Sequence, residues 1–189
     1  LSENADFAQA VIDAGMIFIG PSPEAIRLMG SKTEARKRVI ASGVPTTPGA
    51  SGGLGDDALI ARAVEIGFPV IIKAVAGGGG RGMRIVNSEA EMREALPRAR
   101  SEAKKNFSNE DVYLEKYISM PRHVEVQLFG DNHGNVVHFG TRDCSSQRRH
   151  QKLVEEAPAP FLSPTLREKI HQAAVQAAKS VNYTNAGTA

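Results

Sequence analysis

A glycine-rich segment at residues 77–82 is the part of the chain whose composition most directly suggests chemistry, because five of its six residues are glycine. Gly77, Gly79 and Gly82 match the spacing GxGxxG, which in dinucleotide-binding folds precedes a helix. Here residues 83–86 are β-like instead, and the Gly-Lys-Ser/Thr ending of a P-loop is missing. We therefore expect a glycine hairpin between two antiparallel strands, which can fold over phosphates and donate backbone N–H groups to them.

The alternative for this loop is a hairpin that binds nothing. Ordering four consecutive glycines costs roughly 0.5–1 kcal/mol each relative to alanine, and this cost favours a ligand. Lys73 ends the predicted strand at residues 68–74, so its ammonium group is expected beside the phosphates that the loop covers. A strand-end lysine that simply reaches solvent is the alternative for Lys73.

Two further strand ends carry polar side chains. Residues 123–128 alternate strictly, so His123, Glu125 and Gln127 share one face and apolar side chains share the other. His123, at the strand start, is the candidate for a sugar hydroxyl contact, whereas plain solvent exposure explains Glu125 and Gln127 equally well. The exit at residues 115–118 can offer backbone groups to an adenine edge, with apolar contact from Ile118, although an ordinary amphipathic strand end fits too.

The segment at residues 147–152 is dense in basic and polar side chains. It fits a solvated loop, a nucleic-acid patch or a site for a small anionic substrate. We favour the anionic substrate, because no aromatic side chain is interleaved for base stacking and because Glu155 and Glu156 offset the charge. Cys144 is predicted to be a packed thiol rather than a nucleophile, since no Cys-His signature accompanies it.

The overall composition is that of an ordinary globular protein. The 189 residues are 41% hydrophobic and 23% charged with a net charge of +2, which gives no reason to expect nucleic acid or an acidic membrane as partner. There is no apolar run of the roughly 18 residues that suggest a transmembrane helix, and no signal peptide is visible. The single cysteine favours the cytoplasm. Both ends look truncated, so we interpret the chain as an internal fragment of a longer protein.

The elements that must position these groups alternate between helices and strands, which predicts an α/β or α+β fold. Helices are expected at residues 4–14, from 22 onward, and at 31–42, 56–66, 88 onward and 163–181. Strands are expected at residues 16–19, 68–74, 83–86, 112–117, 122–128 and 136–139, with a hairpin turn at 131–135. Ser31 and Glu34 match a capping box, Asp56 and Asp57 are expected to cap the fourth helix, and Pro97 is expected to break or kink the fifth. Residues 43–55 read as an interdomain linker.

Together these segments resemble biotin carboxylase, the ATP-grasp component of biotin-dependent carboxylases. The resemblance covers essentially the whole chain in the family's order and is most specific at residues 142–160. The matching segments are residues 30–32, 70–74, 77–83, 115–117, 121–127 and 142–152. Residues 16–21 and 140–143 look most like the α subunit of an acetyl- or propionyl-CoA carboxylase.

The resemblance implies a partial ATP-grasp domain at residues 30–189 with a glycine-loop lid at about 45–118, preceded at 1–29 by the tail of a Rossmann-like N-terminal domain. It implies that ATP activates bicarbonate and that CO2 passes to biotin on a carrier domain, the first half-reaction of an acyl-CoA carboxylase. The implied cofactors are ATP and Mg²⁺ or Mn²⁺. The implied partners are bicarbonate, a biotin carboxyl carrier domain, a carboxyltransferase subunit and a second copy of the full-length chain, without nucleic acid or membrane. The implied location is the cytoplasm, or the mitochondrial matrix in a eukaryote.

The same resemblance implies individual roles. Phosphates are assigned to Lys32, Lys73, Gly79 and Gly80, adenine to Glu115, Lys116 and Ile118, the ribose side to His123, Gln147 and His150, and bicarbonate to Lys152. The family's catalytic and metal-binding residues lie beyond Ala189, so none is expected here and the chain alone is expected to be inactive. Ala76 replaces a frequent glycine, and Thr141 replaces a frequent glutamate, which affects a nearby salt bridge rather than the nucleotide site.

Two alternatives remain open at this point. Another ATP-grasp ligase, such as carbamoyl-phosphate synthetase, also activates bicarbonate, although residues 147–152 speak against it. A basic-loop module that binds RNA or DNA is the alternative from a different class, and the near-neutral charge and the missing aromatic residues count against it.

Overall fold

The computed structural model of the chain describes residues 1–50, 52–76, 83–148 and 151–189. Its helices and strands divide into two compact units. The terminal unit comprises Leu1–Thr46 and Arg122–Ala189, and the central unit comprises Thr47–Pro121. In chain order the elements are α1 (Ala5–Asp13), α2 (Pro23–Gly30), α3 (Lys32–Ala41), β1 (Gly49–Ala50), α4 (Asp56–Ile66), β2 (Val70–Ala74), β3 (Arg84–Val86), α5 (Glu89–Phe107), β4 (Val112–Lys116), β5 (Val124–Gly130), β6 (Val136–Arg148), β7 (Gln151–Glu156), α6 (Pro164–Ser180) and β8 (Asn185–Thr188).

The central unit is built on an antiparallel sheet in the order β1-β4-β2-β3. Strand β2 alternates buried and half-buried residues, and its buried side chains pack with α4 and α5. Leu59, Ile72, Met92, Leu96 and Leu114 are the large side chains at the centre of this core. The hydrophobic alternation of β2 therefore orients Lys73 away from the core side, at the strand end where the sequence predicts it.

The terminal unit contains a second antiparallel sheet in the order β7-β6-β5-β8. Val126 and Leu128 of β5 pack against Ala174 and Ala178 of α6. The period-two pattern predicted for β5 is thus confirmed on its apolar face. The described residues of the basic segment, for which the sequence favours a site for a small anion, lie at the paired ends of β6 and β7, where Gln147 is opposite Lys152 and Arg148 is opposite Gln151.

Side-chain caps explain why several helices begin where they do. Asn4, Ser22, Ser88 and Ser163 each accept a hydrogen bond from a backbone N–H one turn into the helix, at 2.8–3.2 Å. Two capping predictions are wrong. Ser31 occupies the N-cap position of α3, but its side chain makes no capping hydrogen bond, and its hydroxyl lies 3.4 Å from that of Thr33. The N-cap of α4 is Gly55. Asp56 instead accepts a hydrogen bond from Arg100 at 2.7 Å, because a charged partner competes successfully for its carboxylate.

The prediction that Pro97 breaks a helix is also wrong, since α5 continues through it to Phe107. Pro97 lies on the exposed face, where water can satisfy the carbonyl group that the missing N–H leaves unpaired. Met92, Leu96, Ala99 and Ala103 are buried along the opposite face. Their packing against the sheet outweighs the local cost of the proline.

Residues 16–19 are not a strand, and in the part of the chain that the structure describes no strand pairs with them. Ile17 is 90% exposed and Ile19 is 85% exposed. Apolar residues alone do not make a strand, because the backbone N–H and C=O groups of a strand must pair with a neighbouring strand. None of the described strands pairs with residues 16–19. Across the described helices, none is long and apolar enough to cross a membrane.

Candidate functional site

A buried carboxylate on β5 organises the polar face of the terminal sheet. Glu125 is only 4% exposed and lies directly opposite Arg142 of β6. Nε of Arg142 donates to Oε1 of Glu125 at 2.9 Å, and Nη2 of Arg142 bonds the same oxygen. The other oxygen, Oε2, accepts a hydrogen bond from Nζ of Lys152 on β7. One carboxylate therefore holds two cations from two neighbouring strands, and we call these three residues the Glu125 network.

Charge is strongly stabilised within the Glu125 network. Burial by itself raises the pKa of Glu125, but the hydrogen bonds from Lys152 and Arg142 outweigh it, and the net pKa is lowered. The hydrogen bond from Lys152 to Glu125 raises the pKa of Lys152, and the hydrogen bonds from Arg142 to Glu125 raise the pKa of Arg142. All three groups are consequently ionised at neutral pH, with Lys152 held as an ammonium group.

His123 and Gln147 extend this network. Nε2 of Gln147 lies 2.7 Å from Nδ1 of His123 and donates to the carbonyl oxygen of Cys144 at 2.8 Å. Nε2 of His123 lies 3.9 Å from Oε2 of Glu125. The structure thus brings together three of the predicted site residues, His123, Gln147 and Lys152. They surround Glu125, which the sequence did not identify as a site residue.

Residues flanking this network hold the hairpin in place. Arg122 donates to Oδ2 of Asp143 at 2.6 and 3.0 Å and to the carbonyl oxygen of Pro160 at 2.7 Å. Hydrogen bonds from Ser145, followed by those from Arg122, lower the pKa of Asp143 to about 2. Cys144 is fully buried, which confirms the predicted packed thiol, and burial raises its pKa. A protonated buried thiol is a poor nucleophile.

Sequence reasoning missed Glu125 and Arg142. The alternation at residues 123–128 placed Glu125 on the polar face but did not separate a solvent-exposed carboxylate from a buried one. The usable signal was the neighbouring basic segment, because cations that leave water need a carboxylate partner. The pairing of β5 with β6 decides which carboxylate this is, because it places Arg142 directly across from Glu125.

Glu125, Cys144 and Glu155 have ligand atoms within 4.8 Å of one another, which is the spacing of a metal site. The chemistry of the set does not fit Mg²⁺, which prefers oxygen ligands in octahedral geometry. Both oxygens of Glu125 accept hydrogen bonds from cations, and Oε2 of Glu155 lies 3.3 Å from Nε of Arg142. The third ligand is a buried, protonated thiol. We therefore assign these carboxylates to the ion-pair network and not to a metal.

The central unit holds Lys73, one of the predicted phosphate residues, and the three predicted adenine residues. Nζ of Lys73 on β2 donates to Oε2 of Glu115 on β4 at 2.5 Å. Nζ of Lys116 donates to the carbonyl oxygens of Gly67 and Phe68, both at 2.9 Å, and so ties β4 to the turn before β2. Ile118 follows β4 and is 55% exposed. The structure brings Lys73 and Glu115 together, although the sequence assigned them to different parts of a nucleotide.

The remaining predicted residues have less structural detail. Gly79, Gly80 and His150 lie outside the described residues. Lys32 is the first residue of α3. The roles of these four residues, like those of the other predicted site residues, stay predictions.

Comparison with known proteins places the chain in a family. Residues 31–189 match the family model "Carbamoyl-phosphate synthase L chain, ATP binding domain", and residues 1–26 match "Biotin carboxylase, N-terminal domain". The biotin carboxylase of Nostoc sp. is 54% identical over all 189 residues. This chain belongs to the biotin carboxylase family. The match spans 100% of the chain but 42% of the Nostoc protein, so the chain covers less than half the length of this relative.

Solved structures of the family confirm the fold. A biotin carboxylase–β-γ-ATP complex from Campylobacter jejuni is 49% identical, with a TM-score of 0.90 over 100% of this chain and 42% of that one. The biotin carboxylase domain dimer of Hydrogenobacter thermophilus 2-oxoglutarate carboxylase, in complex with MgADP, ADP and bicarbonate, is 48% identical with a TM-score of 0.87 over the same shares. The α+β architecture with antiparallel sheets is therefore a partial ATP-grasp fold, as the resemblance implied.

Proposed function

We propose that this chain carries the nucleotide-binding part of a biotin carboxylase, an ATP-dependent ligase that carboxylates biotin on a carrier domain with bicarbonate as the carbon source. The observation that carries the proposal is the Glu125 network. It presents a charged, oriented lysine on one face of the sheet, in a chain about half of whose residues match biotin carboxylases along its whole length. The match at residues 1–26 supports biotin carboxylase over carbamoyl-phosphate synthase.

In this proposal Lys152 binds bicarbonate. Its ammonium group donates hydrogen bonds to an oxyanion, and Glu125 keeps it protonated and holds its position. Arg142 prevents Glu125 from neutralising Lys152 completely, because the carboxylate is shared between two cations. Glu155 lies 3.3 Å from Nε of Arg142, so the two cations and the two carboxylates balance, and a small anion would be held by the hydrogen bonds of the Lys152 ammonium group rather than by net positive charge.

The nucleotide roles are proposed residue by residue. Lys73 and Lys32 contact phosphates, and the backbone N–H groups of Gly79 and Gly80 donate to them. Glu115, Lys116 and Ile118 contact adenine, and His123, Gln147 and His150 contact the ribose. Lys73 is paired with Glu115 in this structure, so phosphate binding exchanges that carboxylate for a phosphate oxygen. Mg²⁺ or Mn²⁺, when bound, supplies charge neutralisation on the phosphates, and we expect its ligands outside this chain.

The proposed partners of the whole protein follow from the same reaction. They are a biotin carboxyl carrier domain, a carboxyltransferase subunit and a second copy of the chain, and a dimer is present in the Hydrogenobacter structure. We propose a cytoplasmic location, or the mitochondrial matrix in a eukaryote. An acetyl- or propionyl-CoA carboxylase α subunit remains our proposal for the subtype. Nucleic acid is not proposed as a partner, because Arg142 of β6 and Lys152 of β7 are paired with Glu125.

The test is ATP turnover by the full-length enzyme with bicarbonate, Mg²⁺ and free biotin. We expect phosphate release that requires both bicarbonate and biotin. Bicarbonate-dependent turnover that does not require biotin, and that yields carbamoyl phosphate when ammonia is added, would instead identify a carbamoyl-phosphate synthase. Exposed Lys179 on α6 provides the control variant, since Lys179→Ala removes a lysine distant from the Glu125 network in sequence and should leave turnover unchanged.

A further inference from the structure

Gln127 uses both ends of its side-chain amide. Its Oε1 accepts a hydrogen bond from Nη1 of Arg142 at 2.9 Å. Its Nε2 donates to the carbonyl oxygen of Gly187 on β8 at 2.9 Å and lies 3.3 Å from that of Leu128. Because an amide has one acceptor end and one donor end, turning it over would lose both main contacts. Gln127 therefore bridges Arg142 of β6 to the backbone of β8 in a defined orientation.

A β-bulge beside Gln127 decides which side chains face Glu125. Leu128 pairs with His138 and Val126 pairs with Thr141, so the single residue Gln127 lies opposite two residues of β6, Phe139 and Gly140. Gly140 has a φ of +92°, a backbone conformation that glycine adopts without steric cost. Bulges of this kind re-aim the side chains that follow them.

The bulge determines on which face of the sheet the side chains of Thr141 and Arg142 lie. Continuing the Leu128–His138 register without the extra residue would place Thr141, not Arg142, opposite Glu125. In the structure Thr141 is buried on the other face, where its Oγ1 accepts from the N–H of Ala159 at 3.2 Å. Arg142 consequently reaches Glu125 only through this irregular pairing, and Gln127 is the residue that holds its guanidinium group there.

Gln127 also determines how the charge of Glu125 is divided. With Nη1 bound to Gln127, Nε and Nη2 of Arg142 both bond Oε1 of Glu125, and Oε2 remains for Lys152. Without Gln127 the guanidinium group can rotate toward Glu155, whose Oε2 is already 3.3 Å from Nε. Glu125 would then neutralise Lys152 more completely.

We infer that Gln127 is a positioning residue for the anion subsite at Lys152, acting through Arg142 and Glu125. This inference rests on the proposed function, because it concerns the binding of bicarbonate. It predicts an effect on bicarbonate that is separate from ATP binding, which a purely structural glutamine would not produce.

The test is Gln127→Met in the full-length enzyme, since methionine keeps the length of the side chain and removes both hydrogen bonds. We expect the KM for bicarbonate to rise about three- to tenfold, with kcat and the KM for ATP within about twofold of the wild type. The matched control is Gln172→Met on α6, where the glutamine is exposed and donates a hydrogen bond to Oε1 of Glu168 at 2.8 Å. This control should change none of the three constants.

A double-mutant cycle shows whether the effect passes through Arg142. In an Arg142→Lys background, Gln127→Met should change the KM for bicarbonate by less than about twofold, because its partner is already altered. Full additivity, or an equal rise in the KM for ATP accompanied by a lower Tm, would overturn the inference. If Gln127→Met does not fold, Gln127→Asn gives the same test, because its shorter side chain cannot reach both partners. Wild-type enzyme without any bicarbonate dependence would overturn the proposed function instead.

Discussion

The two units use the same pair of side chains, lysine and glutamate, in different settings. In the terminal unit the side chain of Glu125 is 6% exposed and bonds both Arg142 and Lys152, whose side chains are 25% and 35% exposed. In the central unit the side chain of Glu115 is 17% exposed, and that of its partner Lys73 is 25% exposed. Glu125 lies directly opposite Arg142, whereas Lys73 lies opposite Tyr113 and reaches Glu115 on a diagonal.

This difference suggests different tasks for two similar ion pairs. A directly opposed, deeply buried carboxylate with two cations is preorganised, so its lysine keeps one position before and after an anion binds. The side chain of Glu115 is less buried than that of Glu125 and meets Lys73 only on a diagonal, so this pair costs less to separate and its lysine can exchange a carboxylate for a phosphate. We therefore expect the ion pairs of the terminal unit to hold Lys152 in a fixed position, and the ion pair of the central unit to release Lys73 for a phosphate.

The largest expected effect comes from removing the central carboxylate of each pair. Glu125→Gln leaves Arg142 and Lys152 without their shared counter-charge in a partly buried place, and we expect a loss of roughly 2–5 kcal/mol in the free energy of unfolding. Glu115→Gln should cost less than Glu125→Gln, because the side chain of Glu115 is less buried. Urea denaturation of both variants measures the two losses. Equal losses would remove the distinction between the two settings.

The second effect separates the two lysines by substrate. Lys152→Ala should raise the KM for bicarbonate more than tenfold, and Lys73→Ala should do the same for ATP, because a charge-assisted hydrogen bond contributes about 1.5–3 kcal/mol. Steady-state kinetics of the full-length enzyme, with each substrate varied in turn, checks both. If Lys152→Ala left the bicarbonate dependence intact, the assignment of the anion subsite would be wrong.

The smallest expected effect is a pH dependence of stability caused by His171 in the terminal unit. His171 of α6 stacks on His138 of β6 with ring centroids 3.9 Å apart, and its buried Nε2 has no hydrogen-bond partner among the described residues. Burial, followed by His138, lowers the pKa of His171 below its ordinary value of 6.5, although Glu168 acts in the opposite direction and Arg167 in the same one. The unfolded chain therefore binds this proton more readily than the folded chain.

The pH dependence follows from this sign. The stability contributed by neutral His171 is present above pH 6.5 and is lost as the pH falls from 6.5 toward the folded-state pKa. We expect the Tm to fall more steeply between pH 7 and pH 5 in the wild type than in His171→Phe, which cannot be protonated. Differential scanning fluorimetry at several pH values makes this measurement, and parallel curves would contradict the role of His171.

Much of the fold follows from local sequence rules. The serine and asparagine caps of α1, α2, α5 and α6 act within one turn of chain, so the sequence alone predicts where these helices begin. The alternation of β5 predicts its two faces for the same reason. Gly67 ends α4 with a φ of +80°, as its residue type indicates. The motifs from residue 142 onward also determined the family.

Only the tertiary structure decided the rest, because the deciding contacts join residues far apart in sequence. Pro97 stays helical because its neighbours are buried against a sheet. Residues 16–19 are not a strand because none of the described strands pairs with them. The burial of Glu125 depends on cations that lie 17 and 27 residues further along the chain. Arg142 reaches it only because the pairing of β5 with β6 contains one extra residue, and strand register is a property of two segments together rather than of either alone.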